Sequence, residues 1–100
     1  MINKAFSMIS LSAKAGKAAG GEFAAETAIR SHNAFLVIVA EDASDNTKKK
    51  FTDKCRYYNV PVRIFGSREE LGLYTGKGFR AVLAITDENL AKSVSERIDM

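Results

Sequence analysis

The sequence predicts an α/β protein, a three-layer α/β/α sandwich around a mixed sheet of about four strands. Two short runs carry this prediction, Phe-Leu-Val-Ile-Val-Ala at residues 35–40 and Ala-Val-Leu-Ala-Ile at residues 81–85. Both runs are apolar on both faces, which is typical of strands buried on both sides of a sheet. Segments with helical periodicity precede and follow them, and strands that alternate with helices indicate a sheet enclosed by two helical layers.

The first third of the chain predicts a helix, a very short strand and a second helix. Apolar residues at three- and four-residue spacing over residues 2–15 form one helical stripe. This stripe consists of Ile2, Ala5, Phe6, Ile9 and Ala13. Gly16 ends the helix and Gly20-Gly21 breaks the chain again, so at most a short strand fits at 17–20. Residues 22–32 predict the second helix, whose inward face holds Ala25, Ala28 and Ile29.

A third helix and a further strand follow the first buried strand. Residues 44–58 predict the helix, with its lysines outward. Its inward stripe consists of Thr47, Phe51, Cys55 and Tyr58. Residues 60–65 alternate as a strand does, with Val62 and Ile64 inward and Arg63 outward.

Capping signals place the last two helices. Ser67 and Glu70 form a capping box, in which each side chain can bond the backbone N–H of the other residue, and the short helix that they open stops at Gly76. Asp87 and Glu88 open the last helix, since negative charge is favourable at a helix N-terminus. The inward residues predicted for these two helices are Leu71, Tyr74, Leu90, Ala91, Val94 and Ile98.

Length and composition indicate one domain that covers residues 1–100. The chain has 100 residues, of which 46% are hydrophobic and 27% charged, the balance of an ordinary globular protein. Its longest apolar run is far shorter than the ~20 residues that span a bilayer, and the N-terminus lacks the apolar block of a secretory signal. The single cysteine, Cys55, suits a reducing compartment. We therefore expect a cytoplasmic protein that does not act at membranes.

The residues that most often carry catalysis are scarce. The only histidine, His32, falls at the predicted end of a helix, and Cys55 falls on an inward stripe, so both favour structural roles. Open α/β sheets place ligands beyond the ends of their strands. The acidic residues that could form a cation or acid/base site there are Glu41, Asp42, Asp45 and Asp87. Exposed acids leading into a helix N-terminus are the favoured interpretation, so we predict no catalytic residue, no metal and no cofactor.

Positive charge is concentrated in the middle of the chain. The net charge is +3, and residues 46–80 hold nine basic and three acidic residues, a local net charge of +6. Such a basic segment is the expected footprint of a polyanion partner. The densest part is Lys48-Lys49-Lys50 with Lys54 and Arg56, for which a solvated face and a phosphate-backbone contact are equally compatible with the sequence.

Two glycine-bearing loops have the composition of phosphate-contacting turns. Residues 71–78 end in Gly-Lys but lack the first glycine and the Ser or Thr of a nucleotide-triphosphate loop. This loop instead offers Lys77 and Arg80 for phosphates. Tyr74 and Phe79 are surfaces on which a base can stack. The second loop, Gly20-Gly21, opens a helix whose free N–H groups favour anions. Two lysines strengthen that site, Lys14 and Lys17, and two acids compete with a phosphate for it, Glu22 and Glu26.

The order of several short segments resembles a known superfamily. These segments are Ala28–Arg30, Leu36–Ala43, Asn59–Val62, Glu70–Gly72 and Gly76. Together they resemble the kink-turn RNA-binding ribosomal proteins, the large-subunit proteins seven-Ae and thirty-e and their relatives. Three further segments resemble more narrowly the bacterial YlxQ branch, and they are Ser44–Lys50, Thr52–Cys55 and Tyr57-Tyr58. The resemblance implies an α/β/α sandwich that grips RNA with two segments, the loop and helix after the first strand and the loop before the last strand.

The chain departs from the superfamily pattern at the residues that read the RNA. The pattern is Gly-x-Asn-Glu-x-x-Lys, and Gly21 matches its glycine. Phe23, Ala24 and Thr27 stand where the Asn, Glu and Lys belong. The resemblance assigns those polar residues to guanine edges, and each lost contact of this kind costs roughly 1–3 kcal/mol. Specific kink-turn binding is therefore expected to be altered or weakened.

Two functions follow as hypotheses. The first is a non-catalytic, cytoplasmic RNA-binding protein whose partner is a structured RNA, ribosomal or kink-turn-containing. Its predicted RNA contacts are Lys14, Lys17, Gly20, Gly21, Phe23, Thr27, Gly76, Lys77, Phe79 and Arg80. The alternative is a protein-interaction module on the same scaffold that has lost RNA readout. Its contacts would be the acids Glu22, Glu26, Glu41, Asp42 and Asp45.

Overall fold

The computed structural model describes residues 3–100 and contains nine elements in the predicted order. They are α1 (Lys4–Lys14), β1 (Ala18–Gly20), α2 (Glu22–Arg30), β2 (Leu36–Val39), α3 (Asp45–Tyr58), β3 (Val62–Ile64), α4 (Arg68–Tyr74), β4 (Val82–Ile85) and α5 (Glu88–Ile98). Within that range no helix combines the length and the apolar character needed to cross a membrane. The predicted helical residue Ile2 lies outside the described residues.

The four strands form one mixed sheet in the order β1-β4-β2-β3. The last strand of the chain, β4, pairs antiparallel with both β1 and β2, while β3 pairs parallel with β2. Helix α1 packs on α4 and α5, and α2 packs on α3, so the helices form two separate groups. The predicted α/β sandwich with a four-stranded mixed sheet is confirmed.

The two central strands form the core of the molecule. Every residue of β2 and β4 is completely buried, as expected for strands covered on both faces. Phe51 from α3 and Ile29 from α2 are completely buried, as are Ile9 from α1 and Leu71 from α4. Burial of each such side chain stabilises the fold by about 1.5–3 kcal/mol.

The predicted capping interactions are present. In the capping box at α4, Ser67 Oγ accepts a hydrogen bond from the Glu70 backbone N–H at 3.0 Å, and Glu70 Oε1 accepts one from the Ser67 N–H at 2.9 Å. Asp87 Oδ1 accepts from the Leu90 N–H at 2.9 Å at the start of α5. These bonds satisfy backbone donors that have no partner inside the helix, so local sequence fixes where both helices begin.

Three details of the sequence-based assignment are wrong. On α1, Ser12 is completely buried while Ala13 is only half-buried, because the Ser12 hydroxyl donates to the Met8 carbonyl at 2.8 Å and needs no water. Ile64 is 45% exposed rather than inward, since β3 is an edge strand. Helix α2 ends at Arg30 rather than residue 32, and His32 follows it with a left-handed φ of 61°.

Cys55 is completely buried on α3, as predicted, and loss of solvation raises the pKa of its thiol to about 11. Because the thiolate is the reactive form, we expect iodoacetamide at about pH 8 to alkylate the native protein on the order of a hundredfold more slowly than the urea-unfolded chain. Mass spectrometry of timed samples measures both rates. Equal rates would mean that the thiol reaches solvent in the native state.

Candidate functional site

Two segments far apart in sequence meet at one end of the sheet. Strand β1 ends at Gly20, which pairs with Leu83 of β4, and the Gly21 N–H donates to the Val82 carbonyl at 2.8 Å. Because β1 and β4 are antiparallel, the chain leaving β1 passes the chain that enters β4. This geometry brings Arg80, the residue shortly before β4, over the two glycines.

The Arg80 side chain lies directly on the glycine backbone. A Cβ atom on Gly20 would be 2.7 Å from Arg80 Nε, and one on Gly21 would be 3.2 Å from Arg80 Nη1. The Arg80 backbone N–H donates to the Arg68 carbonyl at 3.0 Å, which fixes the start of the side chain. Among the described residues, the buried Nε has no hydrogen-bond partner. A buried donor without a partner is costly, so a ligand that supplies an acceptor to this N–H would bind favourably.

Helix α2 begins beside this guanidinium without a side-chain cap. Its N-cap is Gly21, with a φ of 96° and no capping hydrogen bond. Helix geometry leaves the N–H groups of Glu22, Phe23 and Ala24 without partners inside the helix. The N-terminal end of a helix carries a partial positive charge, so these N–H groups and Arg80 together favour an anion.

The loop between α4 and β4 is held against α4 by close backbone contact. The Lys77 N–H donates to the Gly72 carbonyl at 2.8 Å. A Cβ on Gly72 would lie 2.5 Å from the Gly78 carbonyl oxygen and 2.8 Å from the Phe79 Cα. This contact positions an exposed Lys77 and a Phe79 that is 68% exposed. A glycine inside a helix costs ~1 kcal/mol relative to alanine and signals a packing requirement, and at Gly72 that requirement is this contact.

We call this region the Arg80 surface, and it consists of Gly20, Gly21, Lys77, Phe79, Arg80 and the first N–H groups of α2. Gly76 lies in the same loop with a φ of 79°, and Lys14 lines a cleft with it between α1 and α4. Lys17 is placed differently, because its carbonyl accepts from the Thr86 N–H at the other end of β4. Lys17 is therefore not part of the Arg80 surface, and its contact with RNA stays a prediction.

Two predicted contact residues lie along the outer face of α2. Phe23 is 83% exposed, so both faces of its ring are accessible to a ligand. Thr27 is exposed as well, and its hydroxyl donates to the Phe23 carbonyl at 3.0 Å. Neither side chain offers an unused N–H donor.

Glu26 has partners that the sequence analysis missed. Its carboxylate lies 3.3 Å from Lys50 Nζ and 3.7 Å from Lys54 Nζ, both on α3. The hydrogen bond from Lys50 is the main reason that the pKa of Glu26 is lowered. Asp53 on α3 pairs with Lys49 at 2.9 Å, so Lys50 and Lys54 have Glu26 as their acidic partner. Only packing of α2 on α3 reveals the Glu26 pairing.

The acids that follow β2 are exposed, and Asp42 contacts Arg68 at the start of α4. Asp42 Oδ1 accepts from the Arg68 backbone N–H at 2.8 Å, and Oδ2 lies 3.5 Å from Arg68 Nε. That backbone hydrogen bond is the main reason that the pKa of Asp42 is lowered. Glu41 is exposed, and the described chain contains no group of three or more His, Cys, Asp or Glu residues that could hold a metal ion. Asp42 therefore contacts the N-terminus of α4, whereas the sequence predicted the N-terminus of the third helix.

The fold and the Arg80 surface define a class of protein, a small α/β/α sandwich in which the loop and helix after the first strand face the loop before the last strand. The chain matches the Ribosomal protein L7Ae/L30e/S12e/Gadd45 family over residues 3–95, and it belongs to that family. The family resemblance drawn from the sequence is confirmed.

Two relatives carry the name RNA-binding protein YlxQ. The protein of Bacillus subtilis (strain 168) is 43% identical over 94 residues, which cover 94% of this chain and 94% of the relative. The protein of Enterococcus faecium is 43% identical over 96 residues, which cover 96% of this chain and 92% of the relative. The narrower resemblance to the YlxQ branch is therefore confirmed as well.

Two solved structures share this fold. A protein of unknown function from Bacillus halodurans has a TM-score of 0.95 and 34% sequence identity, with 99% of this chain and 100% of that chain covered. A 15.5kD RNA binding protein from Giardia lamblia has a TM-score of 0.79 at 23% identity, covering 94% of this chain and 81% of that one. The second likeness concerns the fold alone.

Proposed function

We propose that this protein is a non-catalytic, cytoplasmic RNA-binding protein that holds its RNA at the Arg80 surface. One observation carries the proposal. The Arg80 guanidinium has a buried Nε without a partner in the described chain and lies beside the uncapped N-terminus of α2. A backbone phosphate supplies the negative charge and the acceptor oxygens that both groups lack.

Membership in the family supports this proposal. Two relatives that align over nearly their whole length are named as RNA-binding proteins. The acids required by a protein-interaction module on this scaffold are in part already engaged, since Glu26 pairs with two lysines and Asp42 with Arg68. Because these two carboxylates are already paired within the chain, the protein offers a basic partner fewer acidic contacts, and a polyanion is the better fit.

The specificity of this contact differs from the superfamily pattern. Phe23 and Phe79 are 83% and 68% exposed, and an exposed aromatic ring binds any base by stacking. Ala24 has no polar side-chain atom, and the Thr27 hydroxyl already donates to the Phe23 carbonyl. We therefore assign phosphate contact and base stacking to the Arg80 surface and the adjoining Phe23 ring, in place of hydrogen bonds to guanine edges. Selection of kink-turn RNA over other RNA is then weakened.

A binding titration tests the proposed function. A kink-turn RNA and an uninterrupted duplex of the same length are titrated at two salt concentrations, about 50 and 200 mM. Binding to both RNAs that weakens steeply with salt is the expected result, because phosphate contacts release counterions. Tight binding to the kink-turn alone would contradict the altered specificity. Binding to neither RNA would overturn the proposed function and favour the protein-interaction module.

A further inference from the structure

A second basic surface lies away from the Arg80 surface, on helix α3. A cleft of about 390 Å³ is lined by Lys50, Asp53, Lys54, Tyr57 and Tyr58, and we call it the tyrosine cleft. None of these residues belongs to the Arg80 surface or to the segments that the superfamily pattern assigns to RNA. The cleft therefore needs its own explanation.

Tyr57 presents an open aromatic face in this cleft. Its side chain is 80% exposed, and its ring centroid lies 5.0 Å from that of Tyr58 at an interplanar angle of 75°. The Tyr58 ring is itself held against His32, with 5.8 Å between the centroids and an edge-on geometry. An edge-on contact leaves the faces of the Tyr57 ring uncovered, and an exposed ring held in this way is a stacking platform for a base.

The charge around this platform is positive. Helix α3 carries five basic residues and two acidic ones, and Glu26 of α2 adds a third negative charge beside the cleft. The local net charge is +2, from Lys48, Lys49, Lys50, Lys54 and Arg56 against Glu26, Asp45 and Asp53. Glu26 holds the ammonium groups of Lys50 and Lys54 at 3.3 and 3.7 Å, so both lysines are positioned before any ligand arrives. Positioned cations beside an aromatic face match the alternating phosphates and bases of a single strand.

The outer face of α2 connects the two surfaces. Helices α2 and α3 run in the same direction, since Glu26 contacts Lys50 and Lys54 around the middle of both helices, while His32 contacts Tyr58 at their C-terminal ends. Phe23, Thr27 and Arg30 are exposed and lie at helical spacing along α2. A strand that leaves the N-terminus of α2 therefore passes Glu26, beside Lys50 and Lys54, after about one helical turn. It reaches the level of Tyr57 and Tyr58 after more than two turns, at about 5.4 Å per turn.

We propose that the tyrosine cleft binds a single-stranded extension of the RNA, with one base stacked on Tyr57 and its flanking phosphates beside Lys50 and Lys54. This inference deepens the proposed function, on which it rests for the neighbouring contact. The cleft adds affinity for RNA in which a structured element continues into an unpaired segment.

The test compares a blunt RNA hairpin with the same hairpin carrying an oligouridine extension of about six nucleotides, a length within known single-strand site sizes. One RNA is extended at the 5′ end and another at the 3′ end. We expect at least one extension to tighten Kd about fivefold or more, the effect of stacking one base. Tyr57→Ala should abolish that gain without changing Kd for the blunt hairpin, and Tyr57→Phe should keep the gain.

Charge variants distinguish the contribution of the cleft lysines from the effect of the overall net charge. Lys50→Gln with Lys54→Gln should remove most of the gain from the extension. The matched control, Lys4→Gln with Lys92→Gln, changes two exposed lysines on α1 and α5 and should keep it. Because Tyr57 is largely exposed, its substitution does not endanger folding, and unchanged binding of the blunt hairpin verifies this.

Two outcomes would overturn the inference. An extension that adds no affinity, or a gain that survives Tyr57→Ala, would mean that no base stacks in the cleft. If the tighter binding of the extended hairpin depends on the two lysines but not on Tyr57, the extension binds by charge alone. If the extension adds nothing and Lys50→Gln with Lys54→Gln instead weakens binding of a polyglutamate peptide, the cleft serves an acidic protein partner. Failure of the proposed function is a separate result, because it concerns the blunt hairpin.

Discussion

The double variant Lys77→Glu with Arg80→Glu is expected to lose on the order of a hundredfold in RNA affinity at about 0.1 M salt, through the loss of two phosphate contacts. A second effect adds to this loss. A carboxylate at position 80 would lie beside the uncapped N–H groups of α2, where negative charge is favourable. It would occupy the donors that the proposal assigns to a phosphate. The slope of log K against log salt should become shallower by about two.

Titration at several salt concentrations measures both quantities. The matched control is Lys4→Glu with Lys92→Glu, which makes the same change of net charge at two exposed positions on α1 and α5. It should cost far less affinity and leave the slope nearly unchanged. The double variant should also unfold within about 1 kcal/mol of the native protein in urea, because a helix N-terminus accepts the new carboxylate. Equal losses in the two variants would show that the Arg80 surface is not the contact.

Gly72→Ala is expected to weaken both the fold and RNA binding, although Gly72 belongs to neither proposed RNA contact. The new Cβ would lie 2.5 Å from the Gly78 carbonyl oxygen and 2.6 Å from its carbon, and backbone atoms at that distance must move. Overpacking of this kind costs about 1–3 kcal/mol, which outweighs the ~1 kcal/mol that alanine gains in helix propensity. Displacement of the loop also moves Lys77 and Arg80, so we expect RNA affinity to fall about tenfold.

Gly78→Ala provides the control in the same loop, since a Cβ there would meet no atom within 4 Å. Urea unfolding and RNA titration of both variants measure the two effects. Gly78→Ala should stay within about 0.5 kcal/mol of the native free energy of unfolding and keep its RNA affinity. Should Gly72→Ala be as stable as the native protein and bind as tightly, the contact between α4 and the loop does not position the Arg80 surface.

The elements of the fold could be predicted because their signals are local. Residues 35–40 and 81–85 are apolar on both faces, and Ser67 with Glu70 marks a helix start on its own. The errors occur where the environment is set by distant parts of the chain. Ile64 has the pattern of an inward residue but lies on an edge strand, and strand order is not encoded in a six-residue window.

The candidate site could be predicted only in part for the same reason. The glycines and basic residues of the two loops were singled out from the sequence, but their sequence separation hides that Arg80 lies on Gly20 and Gly21. The role of Gly72 depends on a backbone contact across the loop. The Glu26 pairing with Lys50 and Lys54 depends on how α2 packs against α3. Which of the predicted contacts touch RNA stays a prediction.

The position of β4 has a consequence for synthesis of the chain. β4 is made last of the four strands but lies between β1 and β2, so a nascent chain that ends before residue 82 holds β1 without a pairing partner. The parallel β2–β3 pair can form earlier, because α3 connects its two strands directly. The proposed RNA surface is also divided between the segment after β1 and the segment before β4. A growing chain that ends before residue 77 therefore holds only one half of the proposed surface, and we expect RNA binding there only once β4 has been made.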